Sequence, residues 1–84
     1  MKEVTFRIAG AKGKNVAIAG SFNDWNTESH KMSFRAGKYS IKVKLGKGQH
    51  QYKFIVDGEW HTDPDCEAWV HNDLGSVNSV IVID

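Results

Sequence analysis

The sequence predicts an all-β fold, a sandwich or small barrel of short antiparallel strands. Three observations predict it. Apolar and polar residues alternate over most of the chain, at the period of a strand with one buried face. Turn signals at Ala11-Lys-Gly-Lys-Asn15, Gly46-Lys47-Gly48 and Asp57-Gly58 separate the runs. No segment carries the 3.6-residue period of an amphipathic helix. The length, 84 residues, fits one domain spanning 1–84.

Each element follows in order. Val4, Phe6 and Ile8 share one face of a first strand, and Thr5, Arg7 and Ala9 share the other. Val16 and Ile18 begin a second strand, which ends at Gly20. Tyr39, Ile41, Val43 and Leu45 alternate with Ser40, Lys42 and Lys44, the clearest half-buried strand in the chain. After the Gly46–Gly48 turn, Tyr52, Phe54 and Val56 alternate with Gln51, Lys53 and Ile55. Asp57-Gly58 supplies the positive φ of a tight hairpin, and Glu59 to Thr62 form the short return strand. Residues 63–75 break the alternation, carry Pro64 and read as a long surface loop. The β-branched run from Val77 to Ile83 reads as a last strand buried on both faces.

Composition narrows the function. Eleven basic and ten acidic residues give a net charge of +1, with no pull toward nucleic acid or an anionic membrane. The single cysteine, Cys66, allows no internal disulfide, and no apolar run approaches the length of a membrane span. The N-terminus alternates like a strand and lacks the apolar stretch of an export signal, so the expected location is cytoplasmic. No catalytic residue is expected. A glycosidase needs two carboxylates across a cleft, whereas Asp24, Asp57, Asp63 and Asp65 sit at turn-former spacing in a chain too short to enclose a substrate. His61, Asp63, Asp65, Cys66 and His71 match no zinc-ligand spacing, and no glycine-rich phosphate loop is present, so neither metal nor cofactor is expected.

Two tryptophans stand out. Trp25 lies in Gly-Ser-Phe-Asn-Asp-Trp, among turn formers, and Trp60 follows the Asp57-Gly58 turn. Both fit as caps on the ends of the core. Both also fit as sugar platforms, because an indole offers a rigid apolar face to the C–H side of a glucose ring. Lys53 is out of phase with Tyr52 and Phe54, which directs its ammonium to the surface, either as a solvated lysine or as a donor to sugar hydroxyls. Ser76 and Asn78, where the long loop enters the last strand, carry groups suited either to hydroxyl pairing or to capping their own backbone.

Taken in order, Gly-Ser-Phe-Asn-Asp-Trp (20–25), the run from Gly48 to Pro64 and Leu-Gly-Ser-Val-Asn-Ser-Val-Ile-Val (74–82) resemble carbohydrate-binding module family 48. That family includes the glycogen-binding domain of the AMP-activated protein kinase β subunit and modules beside glycogen-branching and debranching catalytic domains. The resemblance runs from Val4 to Ile83. It implies an immunoglobulin-like β-sandwich of about seven short antiparallel strands. It implies that Trp25 and Trp60 stack on glucose, that Lys53 and Asn78 meet sugar hydroxyls, that Leu74 inserts against a ring, and that Ser76 stands where kinase-type modules often have threonine. It implies an α-glucan ligand and, as partner, a catalytic domain or enzyme. Residues 65–73 depart from the family pattern. Trp69 is extra there, and the expectation is that it packs beneath the loop. The rival reading keeps the sandwich as a protein-docking module that no longer binds sugar.

Overall fold

The computed structural model describes residues 1–72 and 75–84. The described residues form eight strands: β1 (Lys2–Ala9), β2 (Val16–Gly20), β3 (Ser33–Arg35), β4 (Lys38–Leu45), β5 (Gly48–Val56), β6 (Glu59–His61), β7 (Trp69–His71) and β8 (Val77–Ile83). A single turn of 3-10 helix, Ser21–Asn23, follows β2. All pairings between strands are antiparallel. One sheet has the order β1-β4-β3 and the other β2-β5-β8-β7, with β6 also paired to β5. The two packed sheets are the expected sandwich.

The strands that sequence reading missed, β3 and β7, have three residues each, too few to display an alternating pattern. β7 lies inside the segment expected to be loop. The expectation for β8 also needs correction. Its burial on both faces covers only Asn78–Val80, and Val82 is 62% exposed. The reason is pairing: β7 flanks β8 only over Val77–Ser79.

The core forms where the alternating faces meet. The three-stranded sheet contributes Phe6, Tyr39, Val43 and Leu45, and the five-stranded sheet contributes Val16, Ile18, Tyr52, Phe54 and Ile83. Phe6 meets Tyr52 edge-on at 4.8 Å between ring centroids, and Tyr52 meets Phe54 the same way at 5.9 Å. Each fully buried side chain of this size contributes roughly 1.5–3 kcal/mol. Gly20, in extended backbone at φ −168°, ends β2 under close constraint. A Cβ there would collide with the carbonyl oxygen of Gln51 and lie 2.6 Å from the Phe22 ring.

A polar link ties Asp63 to this core. The Tyr52 hydroxyl donates to Asp63 Oδ2 at 2.7 Å, and the Asp63 amide donates to Ser79 Oγ at 2.9 Å. Tyr52 and Ser79 are themselves paired across β5 and β8. Burial first, and the bond to Asp63 second, push the Tyr52 ionisation well above the ordinary tyrosine range.

Two outcomes follow from this packing. Gly20→Ala is expected to lower the urea midpoint, by overpacking worth about 1–3 kcal/mol. Tyr52 stays protonated in the folded state, while an unfolded tyrosine ionises near about pH 10. Its contribution is therefore complete below that pH and is lost as pH rises above it. Tyr52→Phe is expected to cost about 1–2 kcal/mol near neutral pH. It is also expected to flatten the alkaline fall in stability, measured as urea midpoints from pH 7 to 11.

Candidate functional site

The period of β5 that puts Tyr52, Phe54 and Val56 in the core puts Gln51, Lys53 and Ile55 on the outer face of the five-stranded sheet. Register extends that face across neighbouring strands. Ile55 pairs with Ala17 on β2 and with Trp60 on β6. Lys53 pairs with Ala19, and continuing the β5–β8 register by one residue sets it opposite Asn78. Asn78 pairs with Val70 on β7. Trp60, Lys53 and Asn78 thus share one face. The row holding Trp60 lies two residues along β5 from the row holding Lys53, a distance of about 7 Å.

Trp60 reaches this face through the Asp57-Gly58 turn, with φ of 49° and 86° at the two central residues. Both being positive is the backbone twist of the favoured two-residue hairpin. Asp57 is fixed further by two hydrogen bonds to the neighbouring loop: its amide donates to the Asn15 carbonyl, and its Oδ1 accepts from the Asn15 amide, at 2.8 and 2.9 Å. The residue that follows by three, Trp60, is 46% exposed.

Trp25 is presented by a strained turn. Asp24 and Trp25 both adopt left-handed backbone, with φ of 55° and 59°. Such a conformation costs a non-glycine residue of order 1–3 kcal/mol and persists only when its surroundings hold it. Asn23 is the holding group. Its Oδ1 accepts from the Gly20 amide at 2.9 Å. Its Nδ2 lies 3.0–3.3 Å from the Ile18 and Asn26 carbonyls, Ser29 Oγ and His30 Nδ1, of which its two hydrogens serve two at a time. The Trp25 amide closes the turn by donating to the Gly20 carbonyl at 2.9 Å. The indole is half-buried and meets Trp60 with ring centroids 6.4 Å apart and planes tilted by 50°. A hollow of about 300 Å³ flanks Trp60, floored by Ala17 and Ile55 and rimmed by Thr27 and Lys31.

The polar residues form a linked set beside the aromatic pair. Lys53 Nζ donates to Ser76 Oγ at 3.0 Å. Asn78 Nδ2 donates to Gln51 Oε1, and Asn78 Oδ1 accepts from Asn72 Nδ2, both at 3.1 Å. Asn72 also folds the turn: its amide donates to the Ser76 carbonyl at 2.9 Å, and its Oδ1 accepts from the Ser76 amide at 3.1 Å. Among the described residues no buried side-chain nitrogen or oxygen lacks a partner.

These positions correct two expectations. Lys53 does not extend into water: it is only 9% exposed and its ammonium is bonded to Ser76, since the alternating period fixes a side chain's direction but not its partners. Trp69 does not pack beneath a loop. It opens β7 and is 56% exposed. Leu74 lies outside the described residues. Trp25, Trp60, Lys53, Ser76 and Asn78 are brought onto one side of the sheet. Gln51 and Asn72 were missed as members of the set, and Asn23 was missed as the support for Trp25. Gln51 shares its phase with Lys53, which is a signal the sequence carried. Asn72 and Asn23 looked like ordinary turn residues. Among the described residues, no three His, Cys, Asp or Glu side chains gather as a metal site, and no helix is long and apolar enough to cross a membrane.

Comparison with known proteins places the chain in a family. The family model for the glycogen recognition site of AMP-activated protein kinase matches residues 3–84. The chain is 40% identical to the kinase's β-1 subunit from Sus scrofa over 86 aligned residues, covering 98% of this chain and 64% of that protein. It is 41% identical to the Bos taurus β-1 subunit, covering 98% of this chain and 29% of the relative. It is 44% identical to the Mus musculus β-2 subunit over 69 residues, covering 82% of this chain and 25% of the relative. The chain therefore spans between a quarter and about two thirds of the relatives it matches. With most of its length matched by the family model, the chain belongs to the glycogen recognition site family of AMP-activated protein kinase, a family of carbohydrate-binding modules.

Proposed function

We propose that this chain is a non-catalytic module that binds α-1,4-linked glucan such as glycogen, starch or maltodextrin on the outer face of its five-stranded sheet. The observation that carries the reading is the Trp25–Trp60 pair, 6.4 Å between centroids, beside the row of Lys53 and Asn78. Two indoles tilted by 50° present a curved apolar surface rather than a flat one. Such a surface suits consecutive rings of a helically curved glucan, each offering its C–H side to an indole. Asn78, Gln51 and Ser76 both donate and accept, as sugar hydroxyls do, while Lys53 donates only. Leu74, which the family resemblance implies as an apolar contact, completes the proposed set.

Lys53 and Asn78 are already bonded to Ser76, Gln51 and Asn72, so their role toward sugar is graded. They hold the turn and its hydroxyl in place, and they offer their remaining hydrogen-bond capacity to the ligand. The open face buries little of a bound sugar, so single-chain affinity is weak, and attachment to a polymer is the useful outcome. The matched relatives are kinase β subunits, and we propose that the module carries a kinase-type or glucan-processing partner to the polysaccharide. Glycogen is an intracellular store, which makes a cytoplasmic setting the natural one.

Titration with maltoheptaose, followed by tryptophan emission, tests this reading. Quenching or a spectral shift is expected, and Trp60→Ala is expected to weaken binding at least about tenfold, the scale of losing an aromatic anchor. Trp25→Phe, which keeps a smaller aromatic face, is expected to lose less. No response at millimolar sugar would instead support the protein-docking reading. The ligand is uncharged, so raising salt from about 50 to 500 mM, a change that screens ionic contacts, is expected to leave the affinity within about twofold. A steep loss with salt would mean that the face recognises an anion.

A further inference from the structure

The third tryptophan lies away from the face just described. Trp69 pairs with Ser79 on β8, and Ser79 pairs with Tyr52 on β5, whose ring is in the core. Trp69 therefore projects from the core side of the five-stranded sheet, opposite the side bearing Trp60. β7 is the last strand of that sheet, at its edge. At that edge Trp69 is 56% exposed, more than Trp60 at 46%.

The indole is nonetheless positioned. His71 shares its face, two residues along, and meets it with ring centroids 5.4 Å apart and planes at 89°. The strand beneath is pinned at both ends. The Val80 amide donates to the Ala68 carbonyl at 3.0 Å, and the Asn72–Ser76 turn closes the hairpin at 2.9 Å. A broad apolar ring is thus held on a sheet edge, with an imidazole beside it that carries a donor and an acceptor when neutral. This is the chemistry of the first platform: an apolar face for the C–H side of a sugar and a polar group for its hydroxyls.

We propose that Trp69 and His71 form a second α-glucan platform, on the opposite side of the five-stranded sheet from Trp25 and Trp60. The proposal rests on the glucan reading of the first face. The nature of that ligand selects the occupant. A branched glucan surrounds a bound module with identical chains, so a second weak platform raises retention on the polymer without any new specificity.

Isothermal titration with β-cyclodextrin tests it, because a closed ring of glucose units occupies one platform at a time. The wild-type chain is expected to bind two rings. Trp60→Ala and Trp69→Ile are each expected to bind one; isoleucine is chosen because it keeps strand propensity on β7. His71→Ala is expected to weaken only the site that Trp60→Ala leaves. Co-sedimentation with glycogen is expected to fall about tenfold in Trp69→Ile, the effect of losing one of two linked contacts. One ring per wild-type chain, lost in Trp60→Ala and unchanged in Trp69→Ile, would overturn the second platform and leave the first intact. No ring bound by any form would overturn both.

Discussion

The alternation of β5 governs both sides of this molecule. Tyr52 and Phe54 enter the core from the same strand that turns Lys53 and Ile55 outward. A slip of one residue in the β5 register would send the aromatics into water and the lysine into the core. The strand is fixed against such a slip from both edges. β2 pairs with Tyr52 to Val56, β8 with Gly48 to Tyr52, and β6 with Phe54 to Val56. The packing that stabilises the sandwich therefore also sets the spacing of the outer-face row that we propose as the sugar site.

The aromatic platform depends on a second constraint, local rather than global. Two successive left-handed residues, Asp24 and Trp25, are held by the side chain of Asn23 and by the Trp25 amide on Gly20. Gly20 in turn has no room for a side chain against Gln51 and Phe22. Strand end, turn and indole are thus one unit. Strain accepted at Trp25 is offset by hydrogen bonds a few residues upstream, as is common where a side chain is presented for binding.

Much of this was legible in the sequence. The long strands announced themselves by period, and Asp57-Gly58 specified the hairpin that carries Trp60. The order of three motifs gave the tryptophans their context. What stayed hidden has physical reasons. Period 2 tells which way Lys53 points, but not that its ammonium finds Ser76 Oγ. A three-residue strand such as β7 has no period to detect, so Trp69 read as a loop residue and was expected to be covered. Asn23 and Asn72 organise the site through side-chain bonds to backbone, and their type is equally common in turns that organise nothing.

The central claim is that the outer face of the five-stranded sheet, read from β5, is where glucan binds. Two-dimensional nitrogen–proton NMR of the labelled chain during addition of maltoheptaose tests it most directly. The account predicts that the indole N–H signals of Trp25 and Trp60 and the amide signals of Lys53, Ser76 and Asn78 move together along one saturation curve. Shifts confined to the three-stranded sheet, with those five positions unmoved, would contradict it.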